Sequence, residues 1–177
     1  MHLSALPSEL IARKTPTTAT LELIPSGKAG IIETLKIMSR LTKDGKKTLA
    51  MRQTALSLVN GAAQKDWLEE VSRLFEFVRD RIRYVKDIKD VETLQTPDKT
   101  LEFQQGDCDD KSVLLASLLE SIGHPTRFIA IGFAPNVYVH VYVETKIGDK
   151  WVALETTEPV ALGWSAPGVV SKLIYFN

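Results

Sequence analysis

Residues 106–123, Gly-Asp-Cys-Asp-Asp-Lys-Ser-Val-Leu-Leu-Ala-Ser-Leu-Leu-Glu-Ser-Ile-Gly, read as one helix that anchors a core and opens on the only cysteine of the chain. Asp107 is a good N-cap, and Asp110, three positions on, can complete a capping box. Cys108 then takes the first helical position. Val113, Leu114, Leu118 and Ile122 form an apolar stripe, and Gly123 suits the position just past a helix end. Oriented amides in a first helical turn favour an anion, so the thiol pKa is expected to fall from about 8.5 toward neutrality. A lone cysteine is more often an inert buried residue, and the flanking aspartates oppose ionisation. On this segment alone, packing and chemistry stand level.

Working outward from that helix, the upstream chain has helical periodicity. Ile31, Leu35, Met38 and Leu41 predict a helix over 28–43, and Leu49, Leu56 and Val59 a second over 48–60. A third, capped by Asp66, carries Leu68, Val71, Leu74, Phe75, Val78 and Ile82 on one face and runs to about Arg83. Its arginines alternate with acids, the pattern of a solvated face rather than of a nucleic-acid patch. The stretch 84–106 is a long connection with Pro97 and one short helical turn near 98–103, and connections of this length usually cover or form a site. Residues 1–18 read as an N-terminal arm that contains His2, and 19–24 as a short strand.

Downstream the period changes from 3.6 to 2. Residues 127–133, 137–145, 151–157 and 172–176 are rich in Val, Ile, Tyr and Phe and predict strands. Helices first and an antiparallel meander afterwards make an α+β plan, with N-terminal helices packed on a C-terminal antiparallel sheet. His124, between helix stop and Pro125, is expected in a loop.

The chain has 177 residues, 44% of them hydrophobic, which suits one domain over 19–177 behind the arm. Lysine plus arginine equals aspartate plus glutamate, 22 each, so no bulk charge argues for nucleic acid or for an anionic membrane. A single cysteine excludes an intrachain disulfide and a multi-cysteine zinc site. The N-terminus lacks an apolar signal region and no stretch reaches membrane-span length, so a cytoplasmic location is expected.

Two further residues give the cysteine partners. Alternation through 137–144 puts His140 on one strand face with Tyr138, Tyr142 and Glu144, and four valines on the other, which is assigned to the core. Across the turn at 146–149, Glu155 shares a face with Trp151 and Ala153. If the hairpin closes symmetrically about Ile147 and Gly148, His140 lies directly opposite Glu155; a two-residue shift makes the contact diagonal. A one-residue slip would turn Leu154 outward, against the apolar pattern. A carboxylate beside an imidazole selects its tautomer, and the imidazole can deprotonate a thiol.

With these residues in place, the stretch 74–159 resembles the transglutaminase-like, papain-like cysteine enzyme superfamily. The resemblance is carried by Phe-Val-Arg-Asp-Arg-Ile-Arg-Tyr at 77–84, Gly-Asp-Cys-Asp-Asp at 106–110, Gly-His-Pro-Thr-Arg at 123–127, His-Val-Tyr-Val-Glu at 140–144 and Trp-Val-Ala-Leu-Glu at 151–155. It implies Cys108 as nucleophile, His140 as base and Glu155 as third member, where the family more often has aspartate. It further implies attack on an amide carbonyl, a thioester acyl-enzyme, and an oxyanion held by the Cys108 amide with a second donor, for which Gln105, Gln104 and Tyr84 are candidates. Trp151 and Trp164 are candidates for an acyl groove, although packing is the commoner role for tryptophan. Asp107, Asp109 and Asp110 lack EF-hand spacing, and capping accounts for them, so no metal and no cofactor are expected. The expected activity is a protease or amidase acting on a peptide or protein substrate. Its rivals are a protein-glutamine transglutaminase or deamidase, and a residual binding module. Small relatives of this type resemble proteins encoded among phage genes, which points to a phage particle and a virion-associated location as a further context.

Overall fold

The computed structural model describes residues 27–86 and 93–177. The arm at 1–18, the strand expected over 19–24 and His2 lie outside the described residues. Among the described residues five helices come with six strands: α1 (Gly27–Gly45), α2 (Leu49–Leu58), α3 (Trp67–Arg81), β1 (Arg83–Tyr84), α4 (Pro97–Phe103), β2 (Gln105–Gly106), α5 (Cys108–Ser121), β3 (Thr126–Gly132), β4 (His140–Ile147), β5 (Lys150–Leu154) and β6 (Ser171–Phe176). The α+β plan holds. No helix among the described residues is long and apolar enough to cross a membrane.

The cysteine-bearing α5 is the centre of the packing rather than an amphipathic surface helix. Val113, Leu114, Leu115, Ala116, Leu118 and Leu119 are all fully buried, and α5 touches all four other helices and strands β3 and β4. A helix enclosed on every side needs an answer for each of its polar groups. Ser117 and Ser121 return their hydroxyls to the Val113 and Leu118 carbonyls, both at 2.7 Å, and Ser112 reaches the Val141 carbonyl at 3.4 Å. At its start, Asp107 accepts the Asp109 and Asp110 amides at 3.0 and 3.1 Å. The Asp110 carboxylate reaches instead to the Gln95 backbone amide (2.7 Å) and side-chain amide (2.6 Å), which ties the connection ahead of α4 to the same helix end.

The sheet is ordered β5-β4-β3-β6, antiparallel throughout. This corrects the expected meander. The final strand returns beside β3 rather than β5, because the segment 155–170 crosses the outer sheet face and delivers it there. That crossing is recorded by Gly163 N–H donating to the Ala153 carbonyl (2.8 Å) and Val170 N–H to the Gly132 carbonyl (2.9 Å). Under it Ile129, Ile131, Tyr142 and Ala153 form a second apolar cluster, with Ala166 and Val169 on top. Valines 141 and 143 face the main core as expected, but Val137 and Val139 are exposed, because β4 begins only at His140.

The β4–β5 turn closes at Gly148 and Asp149, with Ile147 paired to Lys150. Gly148 takes φ +59°, a left-handed conformation suited to a two-residue hairpin. The consequence is a register two residues removed from the symmetric expectation: Val143 faces Leu154, so a continued ladder sets Glu155 opposite Tyr142, diagonal to His140. A parallel two-residue ladder, Arg83 with Gln105 and Tyr84 with Gly106, went unseen in the sequence. His124 sits in the α5–β3 turn, buried, with Nε2 at 2.8 Å from the Glu70 carboxylate of α3.

Candidate active site

The structure brings His140 and Glu155 together across the diagonal, with His140 Nε2 at 2.6 Å from Glu155 Oε2. A carboxylate accepts, so Nε2 carries a proton, and in the neutral ring Nδ1 presents its lone pair. Glu155 is 3% exposed and its second oxygen is also held: the Thr157 amide and hydroxyl donate to Oε1 at 2.8 and 2.7 Å. Burial alone would raise the Glu155 carboxyl, but the hydrogen bond and charge of His140, with the two Thr157 bonds, hold it below its ordinary value. Both oxygens are therefore committed. The glutamate is a buried, doubly held carboxylate, not a mobile surface acid.

Cys108 arrives from the inner side. Its thiol lies 3.5 Å from Asp109 Oδ1 and against the backbone amide of Val141, the residue that follows His140. The sulfur thus meets the peptide unit that joins His140 to Val141, and among the described residues no hydrogen bond joins it to the imidazole ring. The expected fall in the thiol pKa is overturned. Burial, then the charges of Asp109 and Asp107, push the Cys108 thiol above its usual value, and the Val141 amide only partly opposes them. One helix terminus does not offset desolvation together with two adjacent carboxylates.

The remaining candidates fall in two places. Gln105 and Tyr84 lie on the short parallel ladder leading into Cys108, and Gln104 adopts the left-handed conformation that ends α4. The Gln105 side-chain oxygen accepts from Arg83 Nη2 at 2.7 Å, and the Gln104 carbonyl from the Arg83 amide at 2.8 Å. Trp151 is four residues before Glu155 on β5, about 13 Å along an extended strand. There Arg127 stacks over its ring at 4.3 Å and Phe176 meets it edge-on at 5.9 Å, a packing role. Trp164 lies in the segment crossing the sheet, its amide bonded to the Ala161 carbonyl at 3.2 Å.

Two contributors escaped sequence reasoning. Thr157 had a signal, a hydroxyl two residues beyond an acid, which is a common local hydrogen-bonding pattern. The Val141 amide had none, since it depends on how α5 meets β4.

A family model for the transglutaminase-like superfamily matches residues 52–156, more than half of the chain. No curated protein sequence matches it. Among solved structures, a candidate protease from Parabacteroides distasonis superposes with TM-score 0.56 at 15% identity, covering 70% of this chain and 26% of its own. A candidate cysteine protease from Cytophaga hutchinsonii gives 0.51 at 17%, covering 72% and 46%. Legionella pneumophila LapG gives 0.53 at 15%, covering 79% and 85%. The chain spans about a quarter of the first of these and under half of the second. At such identities the likeness is one of fold.

Proposed function

The chain belongs to the transglutaminase-like superfamily, and from that premise we propose that it is a thiol hydrolase cleaving peptide or isopeptide amide bonds through Cys108, His140 and Glu155, carried on one domain over 19–177. The observation that carries the reading is the 2.6 Å bond between buried Glu155 and His140 Nε2, which leaves Nδ1 to serve as the base.

The chemistry follows from the protonation states. Because the buried thiol holds its proton, attack needs the base at the moment of bond formation: sulfur adds to the amide carbonyl carbon as its proton passes to His140 Nδ1. Glu155 stabilises the imidazolium that results. That proton then goes to the departing nitrogen, the carbon–nitrogen bond breaks, and a thioester on Cys108 remains. Water adds to the thioester with its proton taken by Nδ1, the carbon–sulfur bond breaks, and the proton returns to the sulfur. The Cys108 amide, at a helix start, is one oxyanion donor, and Gln105, Gln104 or Tyr84 supplies the second.

The test incubates the full chain and its Cys108→Ser variant with a peptide library and reads new N-termini by mass spectrometry. Cleavage that requires Cys108 supports the hydrolase. Cysteine-dependent incorporation of a fluorescent primary amine into glutamine-containing peptides, without cleavage, would replace it by a transferase. No cysteine-dependent change in any peptide would leave the fold as a binding module.

A further inference from the structure

The stretch Phe133-Ala-Pro-Asn-Val-Tyr-Val139 holds no charged side chain, in a chain of which 25% is charged, and it runs straight into His140. Phe133, Val137 and Val139 are nonetheless exposed, Val139 at 61%. Val170 is exposed as well, and its N–H donates to the Gly132 carbonyl at 2.9 Å, next to Phe133. Single apolar residues on a surface need no explanation, but a group of four on one rim marks a place where something binds.

The rim is held rather than loose. Val139 N–H donates to the Ile131 carbonyl at 2.9 Å, and Val137 N–H to the Ala134 carbonyl at 3.3 Å. The Ser171 hydroxyl accepts from the Asn136 amide at 2.9 Å and donates to the Ala134 carbonyl at 2.8 Å, while Tyr138 packs on the main core. Asn136 takes the left-handed conformation that this turn requires, φ +56°. A wall fixed beforehand loses little entropy when a ligand meets it. Its place beside the catalytic residues decides what that ligand is. Val141, on one flank of His140, meets the sulfur through its amide, and the other flank is Val139. In the reaction proposed above the acyl part stays on Cys108 while His140 hands its proton to the departing nitrogen. The residue that owns that nitrogen therefore lies on the His140 side of the broken bond, where the 133–139 rim begins.

We propose that the rim of Phe133, Val137, Val139 and Val170 is the leaving-side specificity surface, and that the substrate residue immediately after the scissile bond is bulky and apolar. The proposal rests on the catalytic reading above and adds to it a class of substrate. A charged residue at that position would give up water against apolar side chains, with no counter-charge in 133–139 to replace it. By reversal, the same surface receives an amine that attacks the thioester. The amine nitrogen adds to the carbonyl carbon as its proton passes to His140 Nδ1, the carbon–sulfur bond breaks, and the proton returns to the sulfur.

The test reads acyl transfer on the full chain. Cys108 is acetylated with p-nitrophenyl acetate, the excess reagent is removed, and loss of the acetyl group is followed by intact mass. The added amines are the α-amides of glycine, leucine and aspartic acid, at equal concentrations of free base. Leucine amide is expected to deacylate at least about fivefold faster than glycine amide, and aspartic acid amide no faster than glycine amide. Val137→Lys is expected to bring the leucine-to-glycine ratio within about twofold of one and to raise aspartic acid amide above glycine amide. Each ratio is taken within one protein, so a general loss of rate in the variant does not enter it. Should Val137→Lys fail to fold, Val139→Ser carries the same expectation for the leucine ratio. A wild-type ratio near one, or a ratio that the folded variant leaves unchanged, overturns the proposal and leaves the catalytic reading in place. Acetylation of Cys108 no faster in the wild type than in His140→Ala sinks the catalytic reading, and this one with it. A parent that sediments as a dimer, with Val137→Lys a monomer, assigns the rim to a second copy and also overturns the proposal.

Discussion

Replacing Glu155 by glutamine keeps the shape of the side chain and removes its charge, and the surrounding donors dictate how the amide must turn. The Thr157 amide and hydroxyl both donate to Oε1, at 2.8 and 2.7 Å, so the glutamine oxygen stays on that side. Its NH2 group then faces His140 Nε2, 2.6 Å away in the parent, and a donor there requires Nε2 to become an acceptor. The ring proton moves to Nδ1, and the base loses its lone pair. Turning the amide the other way sets NH2 against two Thr157 donors and leaves a buried N–H unpaired, which costs about 1–3 kcal/mol. Loss of the charge-assisted bond to the imidazolium removes about 1–2 kcal/mol more. Together these amount to roughly 30-fold to several-thousand-fold in any step that uses the base. The assay pairs the second-order rate of Cys108 alkylation at neutral pH with long-range proton–nitrogen NMR of the imidazole. Glutamine is expected to slow alkylation by that factor and to switch the ring to the Nδ1–H form. A rate within twofold of the parent, with the proton still on Nε2, would refute the reasoning.

Other consequences can be checked separately. Glu155 is held below its ordinary carboxyl range, so its ionic contribution to stability is complete above the unfolded value, about 4.3, and is lost as pH falls through the lower folded value; the stability advantage of the parent over Glu155→Gln, from urea unfolding, should shrink on acidification below about pH 4. Asp107→Ala removes the acceptor for two amides of α5 and should cost about 0.5–2 kcal/mol in urea. Leu118→Ala opens a void in the fully buried centre of α5 and should cost about 2–5 kcal/mol, read from the same denaturation. Gly132→Ala would set a Cβ 1.6 Å from the Val137 carbonyl oxygen, so the 133–139 loop that leads to His140 must move; alkylation of Cys108 and the melting temperature should both fall.

The parts of the fold that local chemistry determines could be read from the chain. Asp66 and Asp107 cap α3 and α5, and Gly123 follows the end of α5, because capping is decided within a few residues. The pairing of β4 with β5 was also legible, since alternation assigns faces. Its register was not: symmetric closure and closure at Gly148 and Asp149 differ by two residues, preserve every face, and so look equally good in an apolar pattern. That ambiguity left His140 and Glu155 on one face but could not say that they meet diagonally. The strand order was hidden for a different reason, because the segment 155–170 carries no periodic signal to show that it crosses the sheet. The thiol pKa was illegible on principle. Sequence placed the thiol on a first helical turn beside aspartates, whereas enclosure of α5 by helices and sheet makes desolvation the largest influence on Cys108.

The central claim is that His140 acts as the base for the Cys108 thiol, and the most direct measurement is the iodoacetamide alkylation rate of Cys108 at pH 7 in the wild type and in His140→Ala, followed by intact mass. The account predicts a loss of at least about tenfold in the variant, because a buried thiol whose pKa is raised has little thiolate of its own. Equal rates in the two proteins, no faster than a free model thiol, would contradict it.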